Sequence, residues 1–156
     1  MNIPTLTAQF ATSFGLLQAN LQGFTPDNAS DAPAHGGNSL SWLLSHIIAS
    51  RQGALLISGG APLWNGARLE RWAQGAAALT NPDDAAPLTE LHADLAATQE
   101  ALMAHLSTLD DEALAQPTPY GEPVGGVLMF LTTHEAYHVG QVGLLRRTLG
   151  LSNAIG

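Results

Sequence analysis

The sequence predicts an all-α fold, a four-helix bundle in which a long crossover connection joins helices two and three. Four long segments repeat apolar residues at steps of three and four, the spacing of one helix face. No segment shows the strict alternation of a convincing strand. One connection exceeds the roughly two to eight residues that usually join neighbouring bundle helices. With 156 residues, the chain is predicted to form one domain over residues 1–156.

Helix one is predicted over residues 3–22, where leucines and phenylalanines spaced three and four apart form an apolar stripe. Pro4 is compatible with this helix because proline is tolerated in the first turn. The next segment, residues 24–38, is rich in proline, glycine, aspartate and asparagine and predicts a loop. His35 lies in that loop and is expected to be solvated.

Helix two is predicted to begin at an N-cap formed by Asn38 or Ser39 and to end at Gly59 and Gly60. The crossover follows, and within it residues 67–79 predict a short helix. Trp64 and Trp72 in this connection are expected to pack over the bundle, either in the core or at an oligomer contact.

Helix three is predicted over residues 88–109 and helix four over residues 125–149, each from a stripe of apolar residues. Between them, a short helical turn is predicted to begin at residues 110–112 and to lead into a proline-rich loop. His105 in helix three is expected to face the interior, which makes it a candidate additional metal ligand.

Composition and charge exclude several classes of function. Thirteen acidic residues against five arginines, with no lysine, give a formal net charge of -8, which repels phosphate backbones and anionic lipids. We therefore expect neither nucleic-acid nor membrane binding. The lack of cysteine excludes disulfides, thiolate ligands and cysteine nucleophiles. The N-terminal residues carry no secretory signal, so a cytoplasmic location is expected.

Two histidines in helix four, His134 and His138, stand about one helical turn apart. Both belong to a stripe of residues spaced three and four apart, which predicts that they face the core. The stripe consists of Val127, Leu131, His134, His138, Gln141 and Leu145. A buried polar group without a partner costs about 1–3 kcal/mol, so the two imidazoles need something to bind. A metal ion is one partner, and hydrogen bonds to neighbours in the core are the alternative.

Residues 134–138 also match the H-E-x-x-H pattern of zinc proteases, in which the glutamate, here Glu135, activates water. The third ligand of those proteases is missing, because no acidic residue follows Glu135 and Leu144 stands where a third histidine would be needed. A protease with an upstream ligand remains an alternative. Otherwise Glu135 is expected to be a carboxylate at the rim of the site or at an interface.

His46 is the leading candidate for the third ligand, since it is the only histidine near the apolar face of helix two. Three imidazoles without a thiolate accept a divalent ion, with zinc or nickel expected first and iron or manganese as alternatives. Such a set leaves positions for water or substrate, which is typical of catalytic sites. The ion would lower the pKa of water to about 7, or bind and ionise a thiol.

Two segments resemble the DinB-like proteins. Residues 39–51, with Trp42, His46 and Arg51, are similar to the W-x-x-x-H-I-x-x-x-R segment of that family. Residues 134–142 are similar to its H-x-x-x-H-x-G-Q ending. The resemblance implies a four-helix bundle, a homodimer and a metal held by His46, His134 and His138. The chain departs from the commonest pattern at Val139, where a basic residue often stands, and this weakens an inference of an anionic substrate.

The resemblance also implies a metal-dependent enzyme, and thiol-dependent transfer to a small electrophile is the chemistry expected, with a low-molecular-weight thiol as partner. A metal-dependent hydrolase using metal-bound hydroxide is an alternative, and a non-catalytic metal-binding or interaction module is another. Gln141, one turn beyond His138, is expected to hydrogen-bond a ligand or the substrate, and Glu135 and Trp42 are further pocket candidates.

Overall fold

The computed structural model describes residues 2–33, 36–81 and 84–155, so the prediction for His35 lies outside the described residues. Within these ranges the chain forms helices and no strand, which confirms the predicted all-α class. Four helices are long: α1 (Ile3–Leu21), α3 (Leu40–Ile57), α5 (Leu88–Leu106) and α7 (Val124–Thr148). Three are short: α2 (Pro26–Ala29), α4 (Gly66–Arg71) and α6 (Asp111–Ala115).

The four long helices pack around a shared core. Helix α1 lies against α7 and α5, and α3 lies against α5 and α7, so each long helix contacts two others. This closed arrangement fits the predicted four-helix bundle. Buried leucines, isoleucines and valines fill its interior, among them Leu17, Leu44, Ile47, Leu91, Leu95 and Val142. Within the described ranges, none of the helices combines the length and apolar character that crossing a membrane requires.

Side-chain caps begin several of the helices, whereas α5 and α7 begin after Pro87 and Pro123 without one. The Ser39 hydroxyl accepts from the backbone N–H of Trp42 at 3.4 Å, so Ser39 is the N-cap of α3. Asp110 caps α6, where its carboxylate accepts from the Ala113 N–H at 2.8 Å. Beyond the C-terminus of α3, Gly59 has a φ of 89°, a conformation that glycine adopts without strain. Helix two of the sequence prediction is therefore confirmed at both ends.

Two local predictions were wrong. The loop predicted over residues 24–38 contains the one-turn helix α2, because Thr25 and Asn28 form a reciprocal capping box around Pro26. The short helix predicted over residues 67–79 ends much earlier, at Arg71. Gly75, with a φ of 82°, marks the turn that replaces its second half.

The crossover folds onto the bundle through its two tryptophans. Both Trp64 and Trp72 are buried and belong to the main core cluster. The Trp64 backbone N–H donates to the Gln52 Oε1 at 2.6 Å, and its indole N–H donates to Asp94 at 3.0 Å. Of the two roles expected for these tryptophans, core packing is therefore observed within the chain itself.

Candidate metal centre

The structure brings three histidines together between α3 and α7. His46 Nε2 lies 3.2 Å from His134 Nε2, and His138 Nε2 lies 3.1 Å from the same atom. One potential ligand atom from each ring lies within 4.8 Å of the others. The expected grouping of His46, His134 and His138 is thus present in the fold, and the three residues are called the histidine triad below. That they bind a metal stays a prediction.

Hydrogen bonds fix the tautomers of the two buried imidazoles. His46 Nδ1 donates to the backbone carbonyl of Trp72 at 2.6 Å, and His138 Nδ1 donates to Gln141 Oε1 at 2.6 Å. A neutral imidazole carries one proton, so the Nε2 atom of each ring is left as an acceptor. Both acceptors point at His134 Nε2. Partners of this kind set the tautomer of metal-binding histidines.

His134 cannot donate a hydrogen bond to both His46 and His138. Its Nε2 carries at most one proton for two acceptors, and its Nδ1 is buried without a hydrogen-bond partner among the described residues. A cation placed between the three Nε2 atoms would use all three lone pairs. Two Zn–N bonds of about 2.0–2.1 Å at a tetrahedral angle separate their nitrogens by about 3.3 Å, close to the observed spacings. The donor set therefore fits a divalent ion.

Burial keeps the triad in the form that binds metals. Desolvation lowers the pKa of His138 to about 4, against the opposing effect of its bond to Gln141. Desolvation also lowers the pKa of His46, partly offset by the Trp72 carbonyl. The pKa of His134 is lowered by desolvation and then by His46, while Glu135 raises it. All three rings are consequently neutral at pH 7, as metal ligation requires.

Glu135 does not lie at a rim, as the sequence led us to expect. Its side chain is only 2 % exposed, and both carboxylate oxygens accept from Arg51, at 2.7 Å each. The buried face of α7 is rotated by about one residue from the predicted stripe, because Val127, Leu131, His134 and Gln141 are only partly buried. Glu135 therefore faces the core, and the triad lies at the edge of that face.

Arg51 connects all four long helices. Besides Glu135 on α7, its guanidinium donates to the Phe10 carbonyl on α1 at 3.1 Å and to Gln99 on α5, while Arg51 itself belongs to α3. The Arg51 side chain is fully buried. A buried guanidinium is stable only with its hydrogen bonds satisfied, and here carboxylate, amide and carbonyl oxygens supply them.

The other predicted site residues fall in two groups. Gln141 Oε1 accepts from His138 Nδ1, and the side-chain N–H of Gln141 donates to the Tyr137 hydroxyl at 3.1 Å. The Trp42 ring stacks on His46, with centroids 4.9 Å apart. His105, by contrast, lies outside the triad, since its Nε2 donates to the Ser58 carbonyl at 3.1 Å near the end of α3. The expectation of His105 as an additional ligand was wrong.

Two contributions to the site were not predicted from the sequence. Arg51 was noted only as part of a motif, although its position three residues after Ile48 and four before Leu55 puts a charge on an apolar face. A charged residue on the apolar face of α3, together with a buried acid on α7, would have suggested an ion pair between Arg51 and Glu135. The role of the Trp72 carbonyl had no signal, because any residue type offers that group.

The comparisons with known proteins agree with this architecture. A protein-family model described as the DinB superfamily matches residues 9–142. A crystal structure of a conserved protein from Enterococcus faecalis aligns at a TM-score of 0.73 and 18 % identity, over 94 % of this chain and 96 % of that one.

A DinB-like protein from Bacillus cereus ATCC 10987 aligns at a TM-score of 0.73 and 20 % identity, over 97 % and 95 % of the two chains. At these identities the two crystal structures support the fold alone. No curated protein sequence matches the chain. The family match spans most of the chain and includes all three triad residues, and the chain belongs to the DinB superfamily.

Proposed function

We propose that the chain is a metal-dependent enzyme whose divalent ion is held by His46, His134 and His138. The observation that carries the proposal is the convergence of three neutral Nε2 atoms, two of them committed as acceptors. Zinc or nickel suits such a set best, and iron or manganese are the alternatives. With no cysteine in the chain, no thiolate ligand competes for these positions.

The reaction proposed is transfer of a low-molecular-weight thiol to a small electrophile: an S–C bond forms, the bond from that carbon to its leaving group, such as a halide, breaks, and the thiol proton passes to solvent. Three protein donors would leave a bound ion at least one position for a thiol, and the partly exposed His134 places the triad within reach of solvent. A bound divalent ion would lower the pKa of a thiol, so that the nucleophilic thiolate exists at neutral pH. A cytoplasmic location, where such thiols are kept reduced, belongs to the same proposal.

The residues around the triad orient the three histidine rings and do not themselves react. The Trp72 carbonyl and the Gln141 amide each fix one imidazole, and the Trp42 ring covers His46. Gln141 is thus a positioning residue. Glu135 has both oxygens committed to Arg51, which favours a positioning role over the general-base role that the H-E-x-x-H pattern would give it.

The experiment is a turnover assay on metal-loaded protein with a panel of thiols and alkyl or aryl halides. We expect product only when both thiol and metal are present, and we expect His46→Ala to abolish it. His105→Ala, a histidine outside the triad, is the matched control and should keep the activity. Hydrolysis of esters or amides without thiol would replace the proposed reaction by the hydrolase alternative. Loss of thermal stability in His46→Ala, without turnover of any substrate, would indicate a structural metal.

A further inference from the structure

Each ring of the histidine triad packs against an aromatic side chain. Trp42 stacks on His46 at 4.9 Å, Phe130 stacks on His134 at 5.8 Å, and Tyr137 meets His138 edge-on at 5.1 Å between ring centroids. Trp42 is buried, whereas Phe130 and Tyr137 are 55 % and 64 % exposed. Two large aromatic surfaces are therefore left open beside the site.

These two aromatic residues flank the side of the triad that reaches solvent. His46 and His138 are buried, and only His134 is partly exposed. Phe130 precedes His134 by four residues and Tyr137 follows it by three, so both stand about one turn away. At about 100° per residue, their directions around α7 differ by only about 20°. A molecule that approaches His134 consequently meets both rings.

The groups bonded directly to the triad carry no charge. The groups that hydrogen-bond the three rings, within the described ranges, are the Trp72 carbonyl and the Gln141 amide, and both are neutral. Glu135, beside His134 in sequence, is neutralised by Arg51 in the core. Arg71, next to Trp72 in the chain, is already engaged, since its guanidinium lies 4.2 Å from the Trp72 ring centroid and donates to the Ala77 carbonyl at 3.3 Å.

We propose that the triad serves a small substrate that presents an uncharged aromatic ring next to its reactive group, with that ring packed against Phe130 and Tyr137. Offset-stacked and edge-on aromatic pairs are favourable beyond the area they bury, and an uncharged ring gives up less hydration than a charged one when it packs against them. This inference rests on the proposed metal site, and it names the substrate class of that site.

The test uses two metal-chelating probes that differ in their aromatic ring, benzohydroxamate and acetohydroxamate, titrated calorimetrically into zinc-loaded protein. We expect benzohydroxamate to bind about tenfold tighter, beyond the difference between the two probes for free zinc. Phe130→Ala/Tyr137→Ala should remove that preference, compared at equal zinc content by elemental analysis. Tyr137→Phe, which loses only the hydroxyl that accepts from Gln141, should retain it. Leu144→Ala, which truncates another exposed apolar residue of α7, is the matched control and should retain it.

The outcomes separate this inference from the proposed function. A protein that takes up no zinc overturns both. A protein that holds zinc but binds the two hydroxamates equally, or keeps its preference in Phe130→Ala/Tyr137→Ala, overturns the aromatic substrate class and leaves the metal site standing.

A carboxylate added to the benzohydroxamate ring should weaken binding about tenfold, and unchanged affinity would overturn the requirement for an uncharged ring. Phe130→Leu/Tyr137→Leu, which keeps apolar bulk without rings, should also lose the preference.

Discussion

At the scale of single residues, the candidate site is defined by which imidazole nitrogen remains free. The sequence predicted the three histidines because each lies on or near an apolar helix face, where an imidazole without a partner is costly. The tautomers could not be predicted, since the partner of His46 is a backbone carbonyl contributed by Trp72, 26 residues away along the chain. Sequence patterns thus indicate ligand types, whereas the folded backbone sets their direction.

Replacing Gln141 by leucine removes the acceptor that fixes the His138 ring. We expect zinc affinity to fall by about 10–100-fold, the usual effect of losing an outer-shell partner of a histidine ligand. Titration against a competing chelator measures the change. Gln141→Glu keeps an acceptor at the same place and should restore most of the affinity. Equal affinity in Gln141→Leu and in the unchanged protein would contradict the positioning role.

The metal-free protein should lose stability as the pH falls from about 6.5 towards 4. The folded pKa of His138 is depressed to about 4 from 6.5, so the unfolded chain binds the proton more readily. The stabilisation is complete above the unfolded pKa and decreases as pH falls through the folded pKa, by up to about 3 kcal/mol. Urea unfolding at pH 7.5, 6 and 5 in the presence of a chelator measures it.

His138→Gln is the control for this pH dependence, because glutamine does not titrate. Its unfolding free energy should vary less between pH 7.5 and 5 than that of the unchanged protein. Identical pH profiles for the two proteins would show that the His138 pKa is not depressed by burial.

At the scale of helices, the Arg51 and Glu135 pair holds α3 and α7 in register next to the triad. Arg51 follows His46 by five residues, and Glu135 follows His134 by one, so the ion pair and the ligand pair bridge the same two helices. The sequence predicted the four long helices from their apolar periodicity, with a side-chain cap in agreement at the start of α3. It placed the buried face of α7 one residue away, because Arg51, the partner that turns Glu135 inward, lies on another helix, α3.

Arg51→Met should destabilise the fold by about 3–5 kcal/mol, because it leaves the Glu135 carboxylate buried without its partner. Arg51→Met/Glu135→Leu removes both charges and should recover a large part of this loss. Urea unfolding of the two single variants and the double variant gives the coupling energy. Additive losses across this cycle would mean that the two side chains do not depend on each other.

At the scale of the whole molecule, an open groove separates the outer surfaces of α1 and α7. Its volume is about 720 Å³, and its walls include Ala8, Leu16, Ala136 and Val139. Leu16 is 40 % exposed there, although it is a large apolar residue. Apolar surfaces of this kind are typical of protein contacts, and we propose that a second copy of the chain covers the groove in a homodimer.

Leu16→Glu places a charge in that groove and should convert the proposed homodimer to monomers. Size-exclusion chromatography with light scattering gives the mass directly. Leu63→Glu, at another exposed leucine in the crossover, is the control and should stay dimeric. A monomeric unchanged protein, or a Leu16→Glu variant that remains dimeric, would exclude this surface as the dimer contact.

Metal binding by the histidine triad is tested most directly by elemental analysis after loading with zinc or nickel. We expect about one ion per chain in the unchanged protein and in His105→Ala, and close to none in His46→Ala, since two ligands on α7 alone bind weakly. A chain that takes up no metal, or a His46→Ala variant that retains as much as the unchanged protein, would contradict the claim.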